Sequence, residues 1–260
     1  MSLVPGVSPL AASLAPRITF GSFEFVTAWH ERPPAAAVVV ANAMTGWDDA
    51  PQDDSETFEH PSGDGLESGL DRYGARTITV AGFIDADNVA ALQAAKRRLK
   101  RERRGVLVVD DRASLLALEA DVRRLTLTWQ RVTETHERFT LVLLADDPLR
   151  YTNATQRLIV GANTLANDGD ERAWPLLTFT GPTGAVTITH PGGAWTLTAT
   201  AAGSTRVVDL RNGDIWQDGV RIFGADSGPA PSIAAETTAT WQVANLGSGR
   251  LGARRIGAYS

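Results

Sequence analysis

The chain has 260 residues, 43% of them hydrophobic and 21% charged, with a formal net charge of -5 and a pI near 5.4. That length can bury two cores of ordinary size, and the composition is that of a globular protein rather than a disordered or membrane-embedded one. The absence of cysteine excludes disulfides, thiolate zinc sites and cysteine nucleophiles, and the acidic balance gives no general attraction to nucleic acid.

Residues Met1 to Ala15 are small and apolar, but they include no Lys or Arg and are interrupted by Pro5 and Pro9. Residues 1–16 therefore read as a flexible arm rather than a secretory signal. No segment approaches the roughly 18–20 apolar residues of a membrane span. Ile18, Phe20, Phe23 and Phe25 alternate along Arg17 to Ala28 and predict strand, with a change of phase at Gly21-Ser22 that fits a turn or a bulge. Ala35 to Val40 reads as a short buried strand. The polar stretch from Asn42 to Gly74 follows, with nine Asp or Glu and no Lys or Arg between Asp48 and Asp71. It is longer than connections inside compact domains usually are, so it is expected to be mobile or ordered by a partner.

One helix is predicted from about Asp87 to Arg104, with Val89, Leu92 and Leu99 on its apolar face, Asp85 or Asp87 as N-cap and Gly105 as terminator. Seven of the nine residues from Lys96 to Arg104 are basic, where cations complement the helix dipole. Val106 to Val109, Asp121 to Trp129 and Arg138 to Leu144 read as strands, the last two joined by a turn at Thr133 to His136. Strands around one helix make this part α+β. The domain boundary is placed between Tyr151 and Asn163, giving domains 17–155 and 156–260.

Beyond it, strands are predicted at Leu176 to Thr180, Val186 to Thr189, Trp195 to Thr200, Arg206 to Leu210, Ile215 to Phe223 and Thr238 to Val243, punctuated by Gly, Pro, Asn and Asp turns. That rhythm indicates a β-sandwich or jelly roll without helix. Asn212-Gly213 is a candidate tight hairpin turn. The glycine-rich, basic segment from Asn245 to Arg255 is expected to be a tail or contact arm.

The four histidines, His30, His60, His136 and His190, lack the short pairings of metal sites and catalytic dyads, and the chain has no nucleophile elbow, phosphate loop or His-Glu-x-x-His. Glycoside hydrolysis is the best enzymatic alternative, and the acidic stretch could supply a pair such as Glu56 and Glu67, but a polar loop offers little burial to hold one of them protonated. Asp168, Asp170, Asp146 and Asp147 could give oxygen ligands to calcium, yet turn formation accounts for them. No catalytic residue, metal ligand or cofactor site is assigned, and the protein is read as a non-enzyme. Trp195, Trp216 and Trp241 are candidates for stacking on a glycan, against the alternative that alternation buries them in a core. The basic residues Lys96, Arg97, Arg98, Lys100, Arg101, Arg103 and Arg104 admit three readings. They are a solvated face, a phosphate-binding patch, or the partner of a neighbouring subunit's acidic stretch, represented by Asp48, Asp49, Asp53, Asp54, Glu56 and Glu59.

Four stretches carry a family resemblance. They are Asp71-Arg-Tyr-Gly-Ala-Arg-Thr-Ile-Thr-Val-Ala-Gly-Phe-Ile84, the helix with the strand pair around Leu125 to Trp129 and Phe139 to Leu144, Leu141-Val-Leu-Leu-Ala-Asp-Asp-Pro-Leu-Arg-Tyr151, and Asn167-Asp-Gly-Asp-Glu-Arg-Ala-Trp-Pro-Leu-Leu-Thr-Phe-Thr-Gly181. In this order the chain resembles the distal tail proteins of long-tailed, non-contractile bacteriophages, from Arg17 to about Asn245. The resemblance implies an N-terminal α+β belt domain that forms a hexameric ring and a C-terminal galectin-like β-sandwich that projects outward. It implies a structural virion protein at the distal end of the tail, made in the host cytoplasm. Its partners would be the tail tube protein, the tail hub protein and a receptor-binding protein, with DNA only passing through the ring. The alternative function is a carbohydrate-binding module or adhesin recognising host cell-wall glycans. Two features depart from the family pattern: the charge of the acidic stretch, and a glycine-rich C-terminal segment where the family has a Pro-Gly-Asn turn and a last strand.

Overall fold

The computed structural model describes residues 16–27, 37–52, 54, 57–59, 66–68, 73–111, 114 and 116–260, with 57–59 and 66–68 described in their backbone only. The N-terminal arm, His30, His60, Asp53, Glu56, Asp71 and the side chains of Glu59 and Glu67 lie outside the described residues. The chain divides into two compact units, 1–149 and 150–260.

The first unit contains β1 (Arg17–Phe20), β2 (Phe23–Phe25), β3 (Ala37–Thr45), β4 (Thr57–Glu59), β5 (Leu66–Ser68) and β6 (Arg76–Ala86). Helix α1 (Val89–Arg101) follows, then β7 (Arg104–Asp111), β8 (Leu116–Arg131) and β9 (His136–Ala145). Seven strands form one antiparallel sheet in the order β2-β1-β7-β8-β9-β6-β3. The change of phase at Gly21-Ser22 is a turn, and Ile18 pairs with Phe25 across it. The sheet curls until its ends meet, because Val26 bridges Val40 and its amide donates to Val39 O at 2.9 Å. Period-2 alternation then sends Phe20, Phe25, Ile78, Val80, Ile84, Leu107, Leu141 and Leu143 to a common interior, all buried. Gly82 is required where it stands, since a Cβ there would come within 1.9 Å of Val40 O and 2.8 Å of Phe139 Cζ.

Three local expectations are corrected. The helix begins at Val89, and its cap is Asn88, whose Oδ1 accepts the Ala91 amide at 2.9 Å. Its buried side chains are Leu92, Ala95 and Leu99, while Val89, in the first turn, is exposed. Gly105 is not a terminator: Arg104 already starts β7, and Gly105 pairs with Val122. Inside the polar stretch, strand is added where the sequence predicted none, for β3 runs on to Thr45 and β4 pairs with β5.

The second unit holds β10 (Arg150–Thr152), β11 (Gln156–Leu158), β12 (Gly161–Asn167), β13 (Leu176–Thr180), β14 (Val186–His190), β15 (Gly193–Leu197) and β16 (Thr205–Asp209). It continues with β17 (Asp214–Gln217), β18 (Val220–Ile222), β19 (Asp226–Ser227), β20 (Thr237–Ala244), β21 (Arg250–Arg254) and β22 (Ala258–Tyr259). A six-stranded sheet, β11-β21-β13-β16-β17-β18, faces a five-stranded one, β12-β20-β14-β15-β19. Their inner side chains meet, as Phe179 of the first lies 6.3 Å from Trp195 of the second, ring centre to ring centre. The first and last strands of the unit, β10 and β22, pair with each other, Arg150 opposite Tyr259.

The C-terminal segment is not a tail. Residues 250–254 are a strand paired with β11 on one side and β13 on the other, and Leu251 and Ala253 are buried. The turn at Asn212-Gly213 is longer than the predicted two-residue hairpin, because Asp209 pairs with Asp214 and the loop takes four residues between them.

Candidate functional site

The basic end of α1 is divided by what each side chain touches. Lys96 turns inward: its Nζ lies 2.5 Å from Glu137 Oε2 and 4.9 Å from the centre of the Trp129 ring, with the two charged side chains 14% and 8% exposed. Arg98 stacks its guanidinium 5.5 Å from the Phe23 ring. Arg97, Lys100, Arg101, Arg103 and Arg104 are exposed, and none pairs with a carboxylate among the described residues. Arg104 also stands directly opposite Arg123 across the β7–β8 ladder, a like-charge pair that disfavours the fold by itself. Arg123 is offset by Asp146 at 3.1 Å. Arg124, absent from the sequence-based candidates, donates to Leu99 O and Lys100 O at 3.3 and 3.1 Å and so closes the helix C-terminus. The result is five exposed cations with no carboxylate partner among the described residues.

The acidic stretch rises from a stem that the sequence reading missed. Arg76 is 4% exposed. Its Nε donates to Pro148 O at 2.7 Å, and its Nη1 to Gly46 O, Trp47 O and Asp49 O at 3.3, 2.9 and 2.5 Å. Gly74 closes the same stem by donating to Gln52 O at 2.7 Å. Asp48, Asp49 and Asp54 are exposed above it. Neither Asp49 nor Asp54 forms an ion pair with the exposed cations of the helix end among the described residues.

A groove of about 600 Å³ in the first unit is lined by Asn42, Phe83, Thr128, Gln130, His136 and Arg138 among others. His136 Nδ1 sits 3.5 Å from Asp85 Oδ1. The remaining described histidine, His190, is held structurally, with Nε2 3.0 Å from Pro229 O and Nδ1 accepting the Gly192 amide at 3.2 Å.

Among the described residues no three His, Asp or Glu side chains group as metal ligands. Asp147 accepts the Leu149 amide at 3.1 Å, a turn contact. Asp170 takes the Ser260 amide and hydroxyl at 2.8 and 2.7 Å. Partial desolvation pushes the Asp170 carboxyl upward, but those hydrogen bonds and the charge of Arg150 outweigh it and hold it below the usual carboxylate range.

Of the three candidate stacking residues, Trp195 and Trp241 are completely buried. Alternation on β15 and β20 sends both inward, and Trp195 Nε1 donates to Asp226 Oδ2 at 3.0 Å; neither offers a ring face to a ligand. Trp216 points to the opposite face of its sheet and is only half-buried.

No family sequence model and no curated protein sequence matches the chain. Solved structures do. The Dit protein of phage SPP1, described as a paradigm of the hub adsorption apparatus in phages infecting Gram-positive bacteria, superposes with a TM-score of 0.56 at 11% identity, covering 92% of this chain and 98% of that one. A chain of the phage P2 baseplate in its activated conformation with calcium gives 0.56 at 8% identity, covering 93% and 97%, and the strontium form gives 0.55 at 8% identity. Coverage of this extent takes in both units and their order along the chain. The protein has, over nearly its whole length, the fold of a phage distal tail protein.

Proposed function

We propose that this protein is a structural component of a phage tail tip. On this reading its first unit closes into a hexameric ring between tail tube and tail hub, and its second unit carries receptor-binding parts at the periphery. The observation that supports it best is the full-length likeness to a hub protein, which extends over both units. The role requires geometry and no catalysis. DNA meets the protein only by passing through the ring.

Within that ring, the cations of α1 on one subunit lie against the acidic stretch of the next. Two distinct, complementary patches on one chain are what a head-to-tail cyclic interface uses, and opposite charge fixes its register more than its strength. Five cations face solvent without a carboxylate partner among the described residues, and Asp48, Asp49 and Asp54 stand exposed elsewhere on the same unit.

Light scattering of the purified chain, followed by negative-stain imaging, tests the ring: six protomers around a channel are expected, and a protein that stays monomeric both alone and on tail tubes refutes it. Exchanging Arg97, Lys100, Arg101 and Arg103 for Glu should weaken association by about a hundredfold, as four exposed pairs contribute roughly 0.5–1 kcal/mol each. Adding Lys at 48, 49 and 54 in the same chain should recover most of the loss. If reversal at the helix leaves the ring unchanged, the cations lie outside the interface.

A further inference from the structure

We propose that the outer face of the six-stranded sheet in the second unit binds a neutral glycan, with Trp216 as the stacking platform. This goes beyond the tail-tip role and does not depend on it.

The register lays one row of residues across the whole sheet. Arg157 stands opposite Gly252, Gly252 opposite Thr178, Thr178 opposite Val207, Val207 opposite Trp216, and Trp216 opposite Arg221. At ~4.8 Å per strand this row spans roughly 24 Å. Gly252, Thr178 and Val207, all half-buried, carry small side chains, so the row beside the indole holds no bulky group.

At the other flank the sheet supplies polar groups in fixed positions. Arg221 is paired with Asp214, two residues before Trp216 on the same face. Its guanidinium also stacks 5.1 Å from the centre of the Phe223 ring, and Phe223 is 80% exposed. The β17–β18 hairpin that carries them is tied down at its turn, where Asp218 Oδ1 accepts the Thr205 amide at 2.8 Å. The hydrogen-bonding fork is therefore oriented by its pairing with Asp214 and by its stacking on Phe223 before any ligand arrives, which reduces the ordering cost of binding.

A sugar ring is the ligand with the matching chemistry. One face presents C–H groups to an aromatic surface, while its edge presents hydroxyls that both donate and accept. A guanidinium beside a carboxylate serves both kinds of hydroxyl contact. Because Arg221 and Asp214 cancel, the ground beside Trp216 carries no net charge to favour an acidic ligand, the arginine of the same row, Arg157, standing four strands away, and the class indicated is a neutral hexose or N-acetylhexosamine chain. An apolar protein partner would meet the same charged pair at the centre of its contact and have to leave it solvated or bury it, at a cost.

The test uses the full chain against an array of neutral hexose and N-acetylhexosamine oligosaccharides of two to six units, with acidic glycans alongside, followed by calorimetry on the best binder. Trp216→Ala should weaken binding at least tenfold, equivalent to the loss of about one aromatic contact. Trp216→Tyr, which keeps a ring, should lose less than about threefold. Phe223→Ala and Arg221→Ala, both at exposed positions, provide the same reading if Trp216→Ala fails to fold. The proposal is overturned if no neutral oligosaccharide binds, if binding survives both Trp216→Ala and Phe223→Ala, or if only acidic glycans bind and salt releases them. Capture of a protein partner by this face, blocked by Phe223→Ala, with no glycan bound, would overturn it equally.

Discussion

Arg76→Met is expected to destabilise the first unit by about 3–5 kcal/mol, among the largest effects available from one substitution in it. The side chain is 4% exposed and donates to four backbone carbonyls, those of Gly46, Trp47, Asp49 and Pro148. Methionine replaces much of the volume but none of the donors, so several carbonyls lose their partner at ~1–3 kcal/mol each where water cannot reach them. Arg76→Lys should recover only part of the loss, because an ammonium is a single point where the guanidinium is a fork reaching in two directions. The measurement is the denaturant midpoint of each variant, read together with hydrogen exchange at residues 46–52. Unfolding of that stem should accelerate even where the rest of the sheet is protected. A midpoint within error of the parent would show that the four contacts contribute nothing net.

The second large effect lies at Asn167, 1% exposed in the other unit. Its Nδ2 donates to Glu171 O, Ile233 O and Ala234 O at 2.7, 3.3 and 3.0 Å. Its Oδ1 accepts from the amides of Gly169 and Ala258 at 3.0 and 3.2 Å. One amide group thus holds the end of β12, the connection before β20 and the C-terminal strand together. Asn167→Leu should cost about 3–5 kcal/mol by orphaning these groups. Asn167→Asp gives a sharper test. It keeps the acceptor for the two amides but points a carboxylate at three carbonyls, so at pH 7 it should be at least as damaging as leucine. Burial and those carbonyls raise the introduced carboxyl's pKa, and its penalty applies above that pKa. Protonation supplies an O–H donor and relieves it. The stability deficit of Asn167→Asp should therefore shrink as pH falls from 7 toward 4.5, while that of Asn167→Leu stays nearly level. Parallel pH profiles for the two would refute the assigned roles.

Much of the fold is legible in the sequence wherever one face of a strand is buried. Ile18, Phe20, Phe23 and Phe25, or Leu177 and Phe179, announce their strands because alternation of large side chains is the pattern a half-buried sheet selects. What escapes is held by tertiary context. β21 reads as a tail because Arg250-Leu-Gly-Ala-Arg254 has only one large apolar residue, yet ladders on both sides make it a central strand. Short strands such as β10, β11 and β22 carry too few residues for a period to show. The helix cap fell to Asn88 rather than its acidic neighbours because Asn88 is the residue whose extended backbone places its side chain over the Ala91 amide.

The candidate site was legible as composition and not as arrangement. Seven basic residues in a row of nine are visible in the sequence, but which of them are occupied depends on Glu137, Trp129 and Phe23, distant along the chain. Arg76, one arginine among many, has no local signal of its four carbonyl contacts. Trp216 separates from Trp195 and Trp241 only once strand phase is known, for all three sit in alternating segments and only the direction of the core distinguishes them.

The pairing of Arg150 with Tyr259 means that the second unit enters and leaves along one short ladder. A module whose two ends are fastened side by side can be cut out, exchanged or seated in a surface loop of another protein without stretching either connection. Under the proposed tail-tip role, such a cassette would let the second unit be exchanged while the first keeps its own strands.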